Sequence, residues 1–150
     1  MKLHVITVGK ISRGDLEYSL IEKYTKLFPF KIYFHEIEIK KKIDSSIKLM
    51  QIEAEEILRL VPKSAIIISL DKDGNELTSE EFSKITNSVL GEDIVFIIGG
   101  AFGLDQSVKQ ASNKLISFGR MTWPHKLAKV LLLEQIYRGH CIVKNHPYHK

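Results

Sequence analysis

Apolar and polar positions along the chain fall into two periods that take turns. Lys2–Val8 is an apolar, β-branched run that stops at Gly9 and predicts a first strand. Asp15–Phe28 carries Leu16, Leu20, Ile21, Tyr24 and Leu27 at helical spacing. After Pro29, Lys31–Ile39 reads as a second strand, with Ile32, Phe34 and Glu36 facing one way. The basic run Lys40–Lys42 reads as an exposed turn. Ser45–Val61 is the clearest amphipathic helix: Ile47, Met50, Ala54, Ile57, Leu58 and Val61 share one side, and Pro62 closes it.

The second half continues the alternation. Ala65–Leu70 is apolar without a polar face, as expected of a strand buried on both sides, and Asp71–Asn75 follows as a loop with a Gly turn. Thr78 with Glu81 three residues on forms a capping box for a helix to about Leu90. Ile94–Ile98 is another doubly buried strand, running into Gly99-Gly100. Asp105–Ser112 predicts a short helix and Lys114–Ser117 a short strand. Pro124 opens a last helix reaching about Arg138, where Gly139 ends it, and His140–Lys150 is a tail.

Strands alternating with helices imply an α/β fold with a mainly parallel sheet covered on both faces. Ligands of such sheets sit outside the carboxyl ends of the strands, which here are Leu70, Gly99 and the segment after Ser117. With no repeat, long linker or low-complexity stretch, residues 1–150 read as one domain.

Charge sharpens this picture. The net charge is +4, but it is unevenly spread. Gln106–Lys150 holds eight Lys/Arg (Lys109, Lys114, Arg120, Lys126, Lys129, Arg138, Lys144, Lys150) against Glu134 alone, while the first 105 residues hold 14 basic and 17 acidic residues. A basic field beside a Gly-rich loop favours an anionic partner such as RNA, and a solvated helix face is the plain alternative. The single cysteine, Cys141, excludes an intrachain disulfide and fits a reducing compartment. No apolar run approaches a membrane span, and MKLHVITVGK turns polar too soon for a signal peptide, so a cytoplasmic location is expected.

Common chemistries fit poorly. IIGGAFG lacks the dinucleotide Gly order and no Gly-Lys-Ser/Thr follows it. His140, Cys141, His146 and His149 cluster, but without zinc-site spacing, so no metal is expected. His140 and Cys141 are neighbours on a segment read as extended, where adjacent side chains point apart, and there is no Gly-x-Ser-x-Gly elbow.

The combination is more specific than its parts. FIIGGAFG, FGRMTWPHKLAKVLLLEQIYRG and the ending NHPYHK, with MKLHVITVGK and IIISLDKDG, resemble the bacterial ribosomal RNA large-subunit methyltransferase H family, small members of the SPOUT class. The resemblance runs the full length. It implies a SPOUT α/β fold with a C-terminal trefoil knot, a homodimer, S-adenosylmethionine as cofactor, and methylation of N3 of a pseudouridine in helix 69 of 23S rRNA in the 70S ribosome. It places the cofactor at Leu70, Gly99, Gly100, Phe118, Gly119, Arg120, Met121, Thr122 and Trp123. Against the family's Leu-Ser-x-Met/Leu-Thr-Leu/Phe-Pro-His pattern, Gly119 and Trp123 are departures.

Residue chemistry accords with this reading. Methyl transfer depends on holding nucleophile and sulfonium in line. Leu70, Phe118, Met121 and Trp123 can line an adenine slot, although each could equally be core. Arg138, Tyr148, His149 and Lys150 offer cations and a ring to an RNA base, and His149 is the candidate base for an imide N–H. His4, His35 and His125 read as structural. Leu127 and Val130–Leu133, apolar over more than one face, suggest a two-fold contact. Two other functions share these features: a methyltransferase of the class acting on another RNA such as tRNA, and a non-catalytic RNA-binding assembly factor.

Overall fold

The computed structural model describes residues 2–87 and 91–150. Among them the chain forms β1 (Leu3–Val8), α1 (Leu16–Leu27), β2 (Ile32–Ile37), α2 (Ser46–Leu60) and β3 (Ile66–Glu76). It continues with α3 (Ser79–Asn87), β4 (Ile94–Ile98), α4 (Gln106–Ala111), β5 (Lys114–Ser117) and α5 (His125–Val143). The strands make one sheet in the order β2-β1-β4-β3-β5, and every pairing is parallel. Leu3 and Ile66 both register with Ile94, so β1, β4 and β3 start level, and the pairing of β1 and β3 with β4 ends at Thr7 and Leu70, both opposite Ile98.

Both faces of this sheet are covered, which is why β4 is apolar at every position. Phe96 and Ile98 point with Leu3, Val5 and Ile68 toward α3 and α5, packing on Phe82, Leu132, Leu133 and Ile136. Val95 and Ile97 point the other way with Ile6 and Ile67, toward Ala54 and Ile57 of α2 and Val108 of α4. Helix α1 joins the first face through Ile21 and Tyr24. Local signals fixed several ends as expected. The Ser45 side chain accepts from the Lys48 amide at 3.3 Å, and Thr78 and Glu81 exchange both capping-box bonds, at 2.8 and 3.1 Å. The expected end of α3 near Leu90 lies outside the described residues. Among the described residues no helix is long and apolar enough to cross a membrane.

Three expectations are corrected. Asp71–Asn75 is not a loop: β3 runs on to Glu76, and Ile116 of β5 registers with both Leu70 and Asn75 across a bulge. Gly74 is there because a Cβ would lie 2.6 Å from the Ile116 carbonyl carbon, so the glycine serves close strand approach rather than a turn. Gly139 does not end the last helix. It is buried within α5, where its missing side chain lets Ser83 of α3 approach, and the Ser83 hydroxyl donates to its carbonyl at 2.9 Å. The helix stops instead at a Schellman motif: Asn145 takes φ 51°, and the His146 and Asn145 amides donate to the Cys141 and Ile142 carbonyls. The tail therefore begins after Val143, not at His140.

Candidate ligand cleft and C-terminal tail

The carboxyl ends of β3, β4 and β5 open into a cleft of about 720 Å³, within the size range of small-molecule sites. Eight of the nine expected cofactor residues line it: Leu70, Gly99, Gly100, Phe118, Gly119, Met121, Thr122 and Trp123. Arg120 does not. The chain turns at Gly119, with φ 103°, and leaves Arg120 exposed and outside the lining.

Backbone, more than side chains, shapes this cleft. A Cβ on Gly99 would stand 2.9 Å from Leu104 and 3.0 Å from the Gly103 backbone, so only glycine lets the Gly100–Gly103 turn fold back, with the Gly103 amide donating to the Gly100 carbonyl at 3.1 Å. Across the cleft the 118–123 loop closes on itself: the Trp123 indole donates to the Phe118 carbonyl at 3.2 Å, and the Ser117 hydroxyl to the Gly119 carbonyl at 2.7 Å. Trp123, a departure from the family pattern, thus braces the loop through its indole N–H.

Several lining residues were not singled out from sequence. Met50 comes from α2, Phe102 from the glycine turn and Asp71 and Lys109 from the β3 bulge and α4. Asp71 and Lys109 form an ion pair at 2.7 Å. Burial pushes the Asp71 carboxyl up, but its bonds to Lys109 and the Asp73 amide outweigh burial and hold it below the ordinary value. His125, expected to be structural, also lines the cleft. Its Nε2 has no hydrogen-bond partner among the described residues and fills the space beside Gly9, where a Cβ would lie 2.5 Å away.

The tail is packed rather than free. Tyr148 meets Tyr137 edge-on at 4.9 Å and donates its hydroxyl to Glu134 at 3.0 Å. Arg138 lies over the Tyr148 ring at 4.9 Å and pairs with Glu134 at 2.5 Å. His149 Nε2 sits 2.9 Å from Glu80, and its Nδ1 3.4 Å from Arg138. Burial, with hydrogen bonds to Tyr24 and Glu134, raises the Tyr148 phenol far above its ordinary range, so it stays protonated. The structure thus gathers Arg138, Tyr148 and His149, while neither these three nor Lys150 lines the cleft.

A second hollow, of about 440 Å³, adjoins the cleft. It shares Phe118, Gly119 and Trp123 with the cleft and reaches Ser79 and Gln135, next in sequence to the Glu80 and Glu134 that hold the tail. The basic field is thinner than the count suggested. Lys109, Lys126, Lys129 and Arg138 are paired to Asp71, Asp15, Glu36 and Glu134. Lys114, Arg120, Lys144 and Lys150 have no ion pair among the described residues.

Comparison with known proteins places these features in one family. Residues 1–149 match the family described as "Predicted SPOUT methyltransferase". The chain is 42% identical to the ribosomal RNA large subunit methyltransferase H of Acholeplasma laidlawii, with all of both chains aligned. It is 38% identical to that of Caldicellulosiruptor saccharolyticus, over 99% of each chain. Among solved structures, it superimposes with a TM-score of 0.52 at 14% identity on a ribosomal RNA small subunit methyltransferase E from Neisseria gonorrhoeae bound to S-adenosyl methionine. That match covers 91% of this chain and 65% of the other. The methyltransferase AviRb of Streptomyces viridochromogenes, in complex with AdoMet, gives 0.50 at 12% identity, over 93% of this chain and 58% of its own. These two likenesses are likenesses of fold.

Proposed function

We propose that this chain, which belongs to the SPOUT methyltransferase family, methylates N3 of a pseudouridine in helix 69 of 23S rRNA, in the cytoplasm and on the assembled 70S ribosome. The observation that carries the reading is the cleft itself, at the carboxyl ends of three parallel strands, cradled by Gly99-Gly100 on one side and the 118–123 loop on the other. Its full-length relatives are named for large-subunit rRNA, which supports that substrate.

S-adenosylmethionine suits this cleft by size and lining, and when bound it supplies a methyl group on an electrophilic sulfonium. Leu70, Phe118, Met121 and Trp123 would flank its adenine, and the glycine turn would let backbone approach its other end. The target base would lie in the hollow that adjoins the cleft. There an imide N–H must lose its proton to become a nucleophile, and His149 is the group offered to take it. Arg138 and Lys150 would favour the resulting anion. Because Glu134 and Glu80 hold Arg138 and His149 in the free protein, RNA must displace those contacts to engage the tail. A homodimer and a knotted C-terminal segment, both implied by the family, belong to the same proposal.

Methyl transfer from labelled S-adenosylmethionine to 70S ribosomes carrying pseudouridine, or unmodified uridine, at the target tests it. Label is expected on the pseudouridine substrate and at N3. Ribosomes that stay unlabelled while free rRNA or tRNA accepts the methyl group would move the protein to another RNA.

A further inference from the structure

Glu53 is a buried acid with nothing to hold. It is 6% exposed, on α2, and makes no hydrogen bond or ion pair among the described residues. Its oxygens are not among the fully enclosed unpartnered polar atoms, which among the described residues belong to His4, Thr7 and His125, so they keep an opening to a partner from outside. Burial alone pushes the carboxyl above the ordinary range. Groups kept at such a cost are candidates for function when they border a site.

Glu53 borders the cleft at one point. Its Oε1 and Oε2 lie 3.1 and 3.3 Å from where a Cβ on Gly100 would stand, and Gly100 lines the cleft. Met50, one turn earlier on the same face of α2, lines the cleft too. Glu53 itself lies behind the lining, and the missing side chain of Gly100 is what gives its carboxylate room against the glycine turn; even a methyl group there would stand against it.

We propose that Glu53 binds the α-ammonium group of the cofactor's amino-acid end. The inference rests on the reading that this cleft takes S-adenosylmethionine. An unpartnered carboxylate needs a cation that also donates hydrogen bonds. The ammonium does both, whereas the sulfonium has no N–H or O–H to give. Glu53 would then acquire on binding the partner that the fold withholds, and it would fix the amino-acid end at the glycine turn, with the adenine toward the 118–123 loop.

Calorimetric titration of wild type and Glu53→Gln with three ligands decides this. S-adenosylmethionine and S-adenosylhomocysteine both carry the ammonium; methylthioadenosine lacks the amino-acid end. Both of the first two are expected to weaken by about ten- to a hundredfold, the range for a hydrogen bond to a charged group, with methylthioadenosine within about twofold. Equal loss of all three would make Glu53 a support of the loop and overturn the proposal. So would no loss, or loss of S-adenosylmethionine alone, which would point to the sulfonium. If Glu53→Gln fails to fold, Glu53→Asp, with the carboxylate one methylene shorter, is read against the same pattern. Wild type that binds none of the three would instead defeat the cofactor reading beneath it, and this inference with it.

Discussion

His125 shows what a single residue can hide from the sequence. A histidine just after a helix-opening proline reads as a polar helix start, yet its ring fills the space that Gly9 leaves and borders the cleft. The capping box at Thr78 was legible because both partners lie within four residues; the match of Gly9 to His125, or of Gly100 to Glu53, joins residues far apart in sequence and left no local signal. Burial comes first among the causes that lower the His125, His4 and His140 imidazoles from the ordinary 6.5. The unfolded chain therefore binds more protons than the folded one through these groups. Their contribution is present above pH 6.5 and is lost as pH falls through the lowered folded values. Glu53, raised by burial, acts in the opposite sense above its ordinary 4.5, which is why a comparison of variants is needed. Thermal unfolding at about pH 7.5 and about pH 5.5 should show wild type losing more midpoint temperature on acidification than His125→Asn. Equal losses would mean that His125 does not titrate with folding.

Elements buried on both faces were the easiest to read. The bounds expected for β4 are those observed, because an apolar run with no polar face has only one place in a parallel sheet; those of β5, a short KLIS strand at the sheet edge, agree as well. Segments settled by tertiary contact were not. Asp71–Asn75 has the composition of a turn, and only its pairing with β5 keeps it in the sheet. Gly139 looks like a helix end and is a packing site, because Ser83 lies against it. The tail was read as an extended segment from His140, whereas His140–Val143 finish α5 and Tyr148 packs on Tyr137 and bonds to Glu134. Deleting Tyr148–Lys150 should therefore lower stability by about 2–4 kcal/mol, the sum of an aromatic contact and a hydrogen bond to a charged group. Cofactor affinity should hold, since no tail residue lines the cleft, while turnover collapses. Urea unfolding, calorimetry and methyl transfer on the same truncated protein separate the three. Undiminished turnover would remove the tail from the reaction.

At the scale of the whole molecule, the alternation of elements disclosed a parallel sheet covered on both faces, but not the strand order, which depends on crossovers that no periodicity records. The surface was misjudged in an instructive way. The apolar residues of α5 that suggested a two-fold contact are mostly internal: Val130, Leu132 and Leu133 lie in the core of one chain. The unpartnered stripe is on α1 instead. Leu16, Leu20 and Leu27 fall within about 40° of one another around a helix of 3.6 residues per turn, and they are 89%, 41% and 42% exposed. Leu127 of α5, the neighbouring helix, is exposed as well. Helix α1 buries none of its residues fully, so its leucine stripe meets water unless something covers it. A second copy across a two-fold axis would cover it with the same stripe. Sedimentation at micromolar concentration is expected to show a dimer for the wild type. Leu16→Lys/Leu20→Lys should sediment as a monomer, with its circular dichroism unchanged because neither leucine belongs to the core. The cleft is built within one chain, so the monomer should keep cofactor affinity, and any loss of turnover would then measure what the second copy adds. A wild-type monomer with full activity would leave the leucine stripe without a self-partner and end the dimer proposal.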